Sequence, residues 1–164
     1  MDQILSDSRG LRPEIRYQTG LIDTAGNPAH AATFIRQRLI ILDEELLRNK
    51  TAHQRVLIHE LLHFVWVRLG NQRRLDWEQL LSREWDARAR GEMGWSAEWR
   101  KRLLTDADRK KRTQKWREYC CESFCDTGAW VYGADESEVT LAAGRRSRRK
   151  VWFANEFATG SLFI

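Results

Sequence analysis

Residues 59–63 read His59-Glu60-Leu61-Leu62-His63, an H-E-x-x-H motif inside a largely apolar stretch from Val56 to Leu69. On a helix, positions four apart project from one face a single turn apart. His59 and His63 would then both reach one zinc ion at about 2.0–2.1 Å. Glu60 would stand beside the open coordination position, where it can take a proton from an attacking water. Chance places this motif in about 0.5% of chains of this length, so its surroundings must decide between a metal site and two inert core histidines. Thr51-Ala52-His53-Gln54 reads as a capping box and Gly70 as a stop, giving a helix over 52–69. That helix is apolar on nearly every face and belongs in a core. Three polar side chains within it need partners, since unsatisfied buried polar groups are costly. One metal ion is the most economical partner for all three.

A third ligand decides the kind of site. Structural zinc takes four protein ligands, whereas catalytic zinc takes three and keeps a position open. The chain has four His, at 30, 53, 59 and 63, and none follows His63. The third ligand must therefore be a carboxylate or a Cys further along. Residues 105–132 read as one long helix, with Thr105 and Asp108 as its start signal and Gly133 as its stop. Glu122 and Asp126 share one face of it, and Glu118 lies a turn earlier on the same face. Spacing leaves either Glu open as the ligand. Gly128 in the helix interior implies close approach of another helix.

These features resemble the gluzincin metallopeptidases, in particular the small minigluzincins. The resemblance covers roughly residues 14–70 and 105–133, and the spacer 64–121 is longer than in a minimal member. It implies a zinc metalloendopeptidase with one Zn2+ per chain, held by His59, His63 and Glu122. Glu60 would be the general base, and Asp126 the carboxylate that orients a zinc-bound His. In the rival assignment Glu118 is the ligand and Glu122 stands behind it. The substrate would be a peptide or protein. The chain also resembles intracellular metallopeptidase domains that cleave phage-type repressors, without an evident appended DNA-binding domain.

Outward from the motif, the expected fold is α+β: a small zincin-like domain spanning 1–164, with a two- or three-stranded N-terminal sheet. Residues 14–21 alternate like a half-exposed strand. Residues 31–42 are extended, as one strand or as two hinged near Arg36-Gln37-Arg38, and Asp43-Glu44-Glu45 starts a short helix. The resemblance implies an edge strand above the zinc to which an extended substrate can add, a role placed in residues 32–42. Residues 71–104 read as an inserted helical pair. Leu75, Leu80, Leu81 and Trp85 form its first stripe, Gly91 and Gly94 a break, and Ser96 to Leu104 its second helix. Its Trp77, Trp85, Trp95 and Trp99 serve either the core or a wall of the cleft. Residues 134–164 form a basic helix and a tail ending Leu162-Phe163-Ile164. The tail either lies over strand 32–42 and makes the protein latent, or packs on a remote face.

Twenty-eight Lys and Arg against 23 Asp and Glu give a net charge of +5. The basic residues cluster at Arg109-Lys110-Lys111-Arg112 and Arg145-Arg146-Ser147-Arg148-Arg149-Lys150. Such runs are read first as solvated or paired with nearby acids, but they can also contact phosphate, so one alternative is a nucleic-acid-binding protein with a closed, structural zinc. Another is a catalytically silent interaction module on the same fold. Tyr132, Arg149, Tyr119 and His30 are the candidates for an oxyanion or substrate contact. Cys120, Cys121 and Cys125 lack the C-x-x-C spacing of a zinc knuckle and read as core fillers, the alternative being a Cys metal ligand or iron–sulfur site. Three thiols so close on a helix have no disulfide partners, which suits a reducing cytoplasm. No segment reads as a signal peptide or membrane span.

Overall fold

β3 (Leu39–Asp43) carries the continuous apolar run Leu39-Ile40-Ile41-Leu42, and it is the central strand of a three-stranded sheet ordered β1-β3-β2. The computed structural model describes residues 12–23, 26–133 and 135–158. β1 (Glu14–Gln18) runs parallel to β3 with Glu14 opposite Leu39, and β2 (Ala31–Phe34) runs antiparallel with Phe34 opposite Leu39. Of the two readings of 31–42, two strands and a turn is the one observed. Residues 35–38 make the reversal, with Arg38 in the left-handed region at φ 50°. Among the described residues no strand pairs with the outer edge of β2. Ile40 and Leu42 are wholly buried, whereas β1 is exposed along its length.

Asp43 ends β3 and turns the chain. Its carboxylate accepts from Leu21 N at 3.0 Å and Glu45 N at 2.8 Å, capping a 3-10 helix over Glu44–Arg48. The long helix α1 (Lys50–Arg68) follows. Its cap is Asn49 rather than Thr51, because the Asn49 side chain accepts from Thr51 N and Ala52 N, both at 3.1 Å. Gly70 is not its stop either. Leu69 closes α1, and Gly70 heads α2 (Asn71–Asp86). α1 buries Leu57, Ile58, Leu61, Leu62, Phe64 and Val65, mostly against α5 (Gln114–Gly133). A Cβ at Gly128 would collide with Leu62 Cδ1, so this glycine does permit the close approach of the two helices.

The expected helix over 105–132 is two helices, α4 (Asp106–Lys111) and α5. Thr105 and Asp108 form the capping box that starts α4. Arg112 then adopts a left-handed conformation (φ 48°), and its guanidinium grips Glu78 of α2 through contacts of 2.8 and 3.1 Å. The hydroxyl of Thr113 donates to Asp108 at 2.8 Å, closing the corner. Between α2 and α4 stands the short helix α3 (Trp95–Arg102), so 71–104 is a helical pair as expected. α6 (Ala143–Glu156) closes the fold.

Trp77, wholly buried, packs at a tilt against Trp152 of α6 with ring centroids 4.8 Å apart and meets Phe124 of α5 at 5.9 Å. Phe157 extends this cluster, so the described part of the C-terminal tail packs on α5 and α6 and not on β2. The apolar end of the tail, 159–164, lies outside the described residues. No helix among the described residues is long and apolar enough to cross a membrane.

Candidate metal centre

One open cavity of about 350 Å³ collects the motif residues. β2 lends it Ala31, Ala32 and Thr33, α1 lends His59, Glu60 and His63, α3 lends Ser96 and Arg100, and α5 lends Glu122. His59 uses both ring nitrogens against α5. Its Nε2 lies 3.2 Å from Glu122 Oε2, and its Nδ1 lies 2.8 Å from Asp126 Oδ1. Two donors each about 2.0–2.1 Å from one tetrahedral ion stand roughly 3.3 Å apart. The His59–Glu122 separation meets that requirement, and the donor set of two imidazoles and a carboxylate suits zinc. The rings of His59 and His63 lie 5.1 Å apart, edge to face.

Asp126 is 2% exposed, and its second oxygen accepts from Ala97 N at 2.9 Å, the first turn of α3. This fixes the carboxylate between the inserted helix and His59. A carboxylate behind a ligating imidazole sets its tautomer and raises its basicity. Burial disfavours a charged His59, but Asp126, Glu122 and Glu60 outweigh it and hold its pKa well above the ordinary imidazole value. Burial also opposes ionisation of Glu122, yet His59, His63 and Arg100 bring it down to about 2. The field that favours positive charge at this point favours a cation in the same place.

Glu60 is nearly buried, and Thr33 Oγ1 donates to its Oε2 at 2.6 Å. Arg100 Nη2 lies 3.2 Å from Glu122 Oε1, while its Nη1 donates to Ser96 O at 3.1 Å. Neither Thr33 nor Arg100 carries a signal in the sequence. Arg100 is one of 28 basic residues, and Thr33 is a small residue in a short strand.

Other candidates lie elsewhere. Glu118 is exposed and receives Gln114 Nε2 at 2.7 Å, so it is not brought to the cavity. Arg149 is wholly buried in an ion network and cannot touch a substrate there. Its guanidinium meets Glu84 and Glu92 at 2.6 Å each and donates to Ser123 at 2.9 Å. Tyr119 is spent on the same network, donating to Glu92 Oε1. Tyr132 packs its ring against Phe153, and His30 is exposed with its carbonyl on Asp43 N. None of the four lines the cavity.

The thiols divide. Cys120 is buried on the far side, its carbonyl accepting Trp77 Nε1 at 3.0 Å. Cys121 and Cys125 stand behind His63, with Sγ 3.5 and 3.6 Å from its Nδ1. Cys125 Sγ also falls within 4.8 Å of ligand atoms of both His59 and His63, which makes it a rival third donor. Glu122 lines the cavity 3.2 Å from His59 Nε2 and is the donor on the cavity side, whereas Cys125 is wholly buried. Comparison of the chain with models of protein families, with curated proteins and with solved structures gave no match.

Proposed function

We propose that the chain is a zinc-dependent peptidase of gluzincin type, with a zincin-like arrangement of sheet, motif helix and second metal helix. One observation carries this reading: His59, His63, Glu122 and Glu60 converge on a single open cavity, with Asp126 buttressing His59 from behind. His59, His63 and Glu122 would hold a zinc ion, which when bound would supply Lewis acidity for a scissile carbonyl and a nearby water. Glu60 takes that water's proton and passes it to the departing amine. Thr33 holds one oxygen of Glu60, which fixes the carboxylate and leaves its other oxygen for the proton. The outer edge of β2, to which no strand pairs among the described residues, offers main-chain partners to an extended peptide passing over the cavity. Arg100 takes the role sought among Tyr132, Arg149, Tyr119 and His30. It is the cationic donor lining the cavity, and it suits a carbonyl oxygen that gains negative charge.

An open cavity beside three ligands favours a reactive centre over a closed structural one. The basic run on α6 gives little support to a phosphate-binding face. Arg149 points inward and Arg146 pairs with Glu136 at 3.2 Å.

The test is metal analysis with peptide hydrolysis on four chains. Wild type should hold one zinc and cleave unstructured peptides. Glu60→Gln should keep the zinc and lose at least about 10²-fold in kcat. Glu122→Ala should lose both, and Glu118→Ala neither. Zinc retained by Glu122→Ala, or a wild type that binds none after reconstitution, would overturn the assignment.

A further inference from the structure

His63 faces two ways. Its ring forms part of the cavity wall, while Nδ1 turns to α5, where Cys121 Sγ lies at 3.5 Å and Cys125 Sγ at 3.6 Å. The two cysteines are four apart on α5, so their sulfurs share one face of the helix. A nitrogen about 2.0–2.1 Å and a sulfur about 2.3 Å from one tetrahedral ion stand roughly 3.5–3.6 Å apart. Both contacts have that length. We propose that His63 Nδ1, Cys121 Sγ and Cys125 Sγ form a second metal site, on the side of the imidazole that faces α5, that takes soft thiophilic ions such as Cd2+ or Cu+.

Donor chemistry sets the preference. Two sulfurs and one imidazole favour soft or borderline ions, whereas the carboxylate at Glu122 favours harder ones. An ion has a route in, because His63 and Cys121 are half-buried although Cys125 is fully enclosed. The third thiol takes no part, since Cys120 is wholly buried and, one residue from Cys121, points about 100° away around α5. The two sites compete for one ring. A neutral imidazole has a single lone pair, so an ion on Nδ1 leaves the proton on Nε2 and removes His63 from the cavity's ligand set. Loading the thiol site should therefore expel metal from the cavity, and a soft ion would act as an inhibitor that never touches the substrate cleft.

The experiment is titration of the full chain with Cd2+ in a thiol-free reductant, followed by thiolate-to-metal charge-transfer absorption and by calorimetric stoichiometry. Wild type should develop the band with one equivalent. Cys121→Ala, Cys125→Ala and His63→Ala should each lose it or weaken binding at least tenfold, with far-ultraviolet circular dichroism confirming the fold. Cys120→Ala should keep it. His59→Ala should also keep it, even though it removes a cavity ligand, so the site is tested whether or not the peptidase reading holds. A band that survives Cys121→Ala at wild-type affinity would overturn the proposal, as would one that disappears in His59→Ala, which would place the ion among His59, His63 and Cys125. Absence of the band from folded wild type would reduce the two sulfurs to weak acceptors that hold the ring. Zinc-loaded wild type should release its zinc as the band grows.

Discussion

Gly94→Ala tests the centre through a residue that touches no metal. Gly94 has an extended backbone at φ −169°, a conformation any residue adopts, so the substitution brings no backbone strain. Its cost is a collision. The added Cβ would lie 2.5 Å from Asp126 Cγ, 2.6 Å from Oδ1 and 2.7 Å from Oδ2, against 3.4–4 Å for ordinary contact. Relief requires the carboxylate to retreat by roughly an ångström. That retreat would stretch both hydrogen bonds of Asp126, 2.8 Å to His59 Nδ1 and 2.9 Å to Ala97 N, beyond useful length. Loss of a partner behind a ligating His lowers metal affinity about 10–100-fold, or roughly 1.4–2.7 kcal/mol. Stability should fall by about 1.5–3 kcal/mol, the worth of a hydrogen bond to a charged group.

Competition for zinc against a chelator of known affinity, with thermal unfolding alongside, measures both effects. Asp126→Asn is the companion variant, since it keeps the shape and removes the charge. Wild-type zinc affinity in both variants would refute the idea that Asp126 positions His59. Wild-type affinity in Gly94→Ala with a loss in Asp126→Asn would mean that α3 yields to the new methyl and the carboxylate does not.

Arg100→Ala should keep its zinc and lose about 10²-fold in kcat with a smaller change in KM, as for removal of an oxyanion donor; zinc loss instead would make Arg100 a support for Glu122. Glu92 gives a pH dependence: burial raises its pKa, but Arg149 and Lys101 outweigh this and lower it from 4.5 to about 2. A carboxyl depressed on folding stabilises above its unfolded pKa and forfeits that contribution as pH falls, here from about 4.5 toward about 2, with about 3 kcal/mol at stake. Unfolding by denaturant across that range should show wild type losing stability that Glu92→Gln has already lost at neutral pH, and parallel declines in the two proteins would contradict the reasoning.

What could be read in the sequence depended on how local its cause was. The motif helix was legible because its evidence lies within twenty residues: the His spacing, the apolar faces and a nearby cap. Even so, two cap patterns overlapped there. Thr51 and Gln54 fit a capping box as well as Asn49 fits a simple cap, and Asn49 is the residue that reaches Thr51 N and Ala52 N. The hairpin of β2 and β3 was one of two readings, but the parallel pairing of β1 with β3 joins strands some twenty residues apart that no turn chemistry links. The break between α4 and α5 was invisible because no Gly or Pro marks it. Arg112 is held left-handed with its side chain on Glu78, 34 residues away. Periodicity could not separate Glu118 from Glu122, which share a stripe. One turn advances about 5.4 Å along the axis, and here that is the difference between the cavity wall and solvent.

The inserted segment is where sequence and structure part most, and its placement bears on function. Read from the sequence, it is a helical pair whose tryptophans serve either the core or a wall of the cleft. In the fold its first turn donates Ala97 N to Asp126, its Arg100 meets Glu122, and Gly94 makes room for the carboxylate that holds His59. The loop leading to Gly94 is staked by Glu92, on which Arg149 of α6, Lys101 of α3 and Tyr119 of α5 all converge. A buried ion pair adds little net stability against an apolar replacement, but breaking one side of it is costly. That asymmetry suits a network whose role is to fix one geometry. Arg149, whose basic run left phosphate contact, substrate contact, solvation and internal pairing open, is internally paired and sits one link from the loop that positions Asp126. The residues that tune the proposed centre therefore extend well beyond the motif, into a segment whose composition alone gave no hint of chemistry.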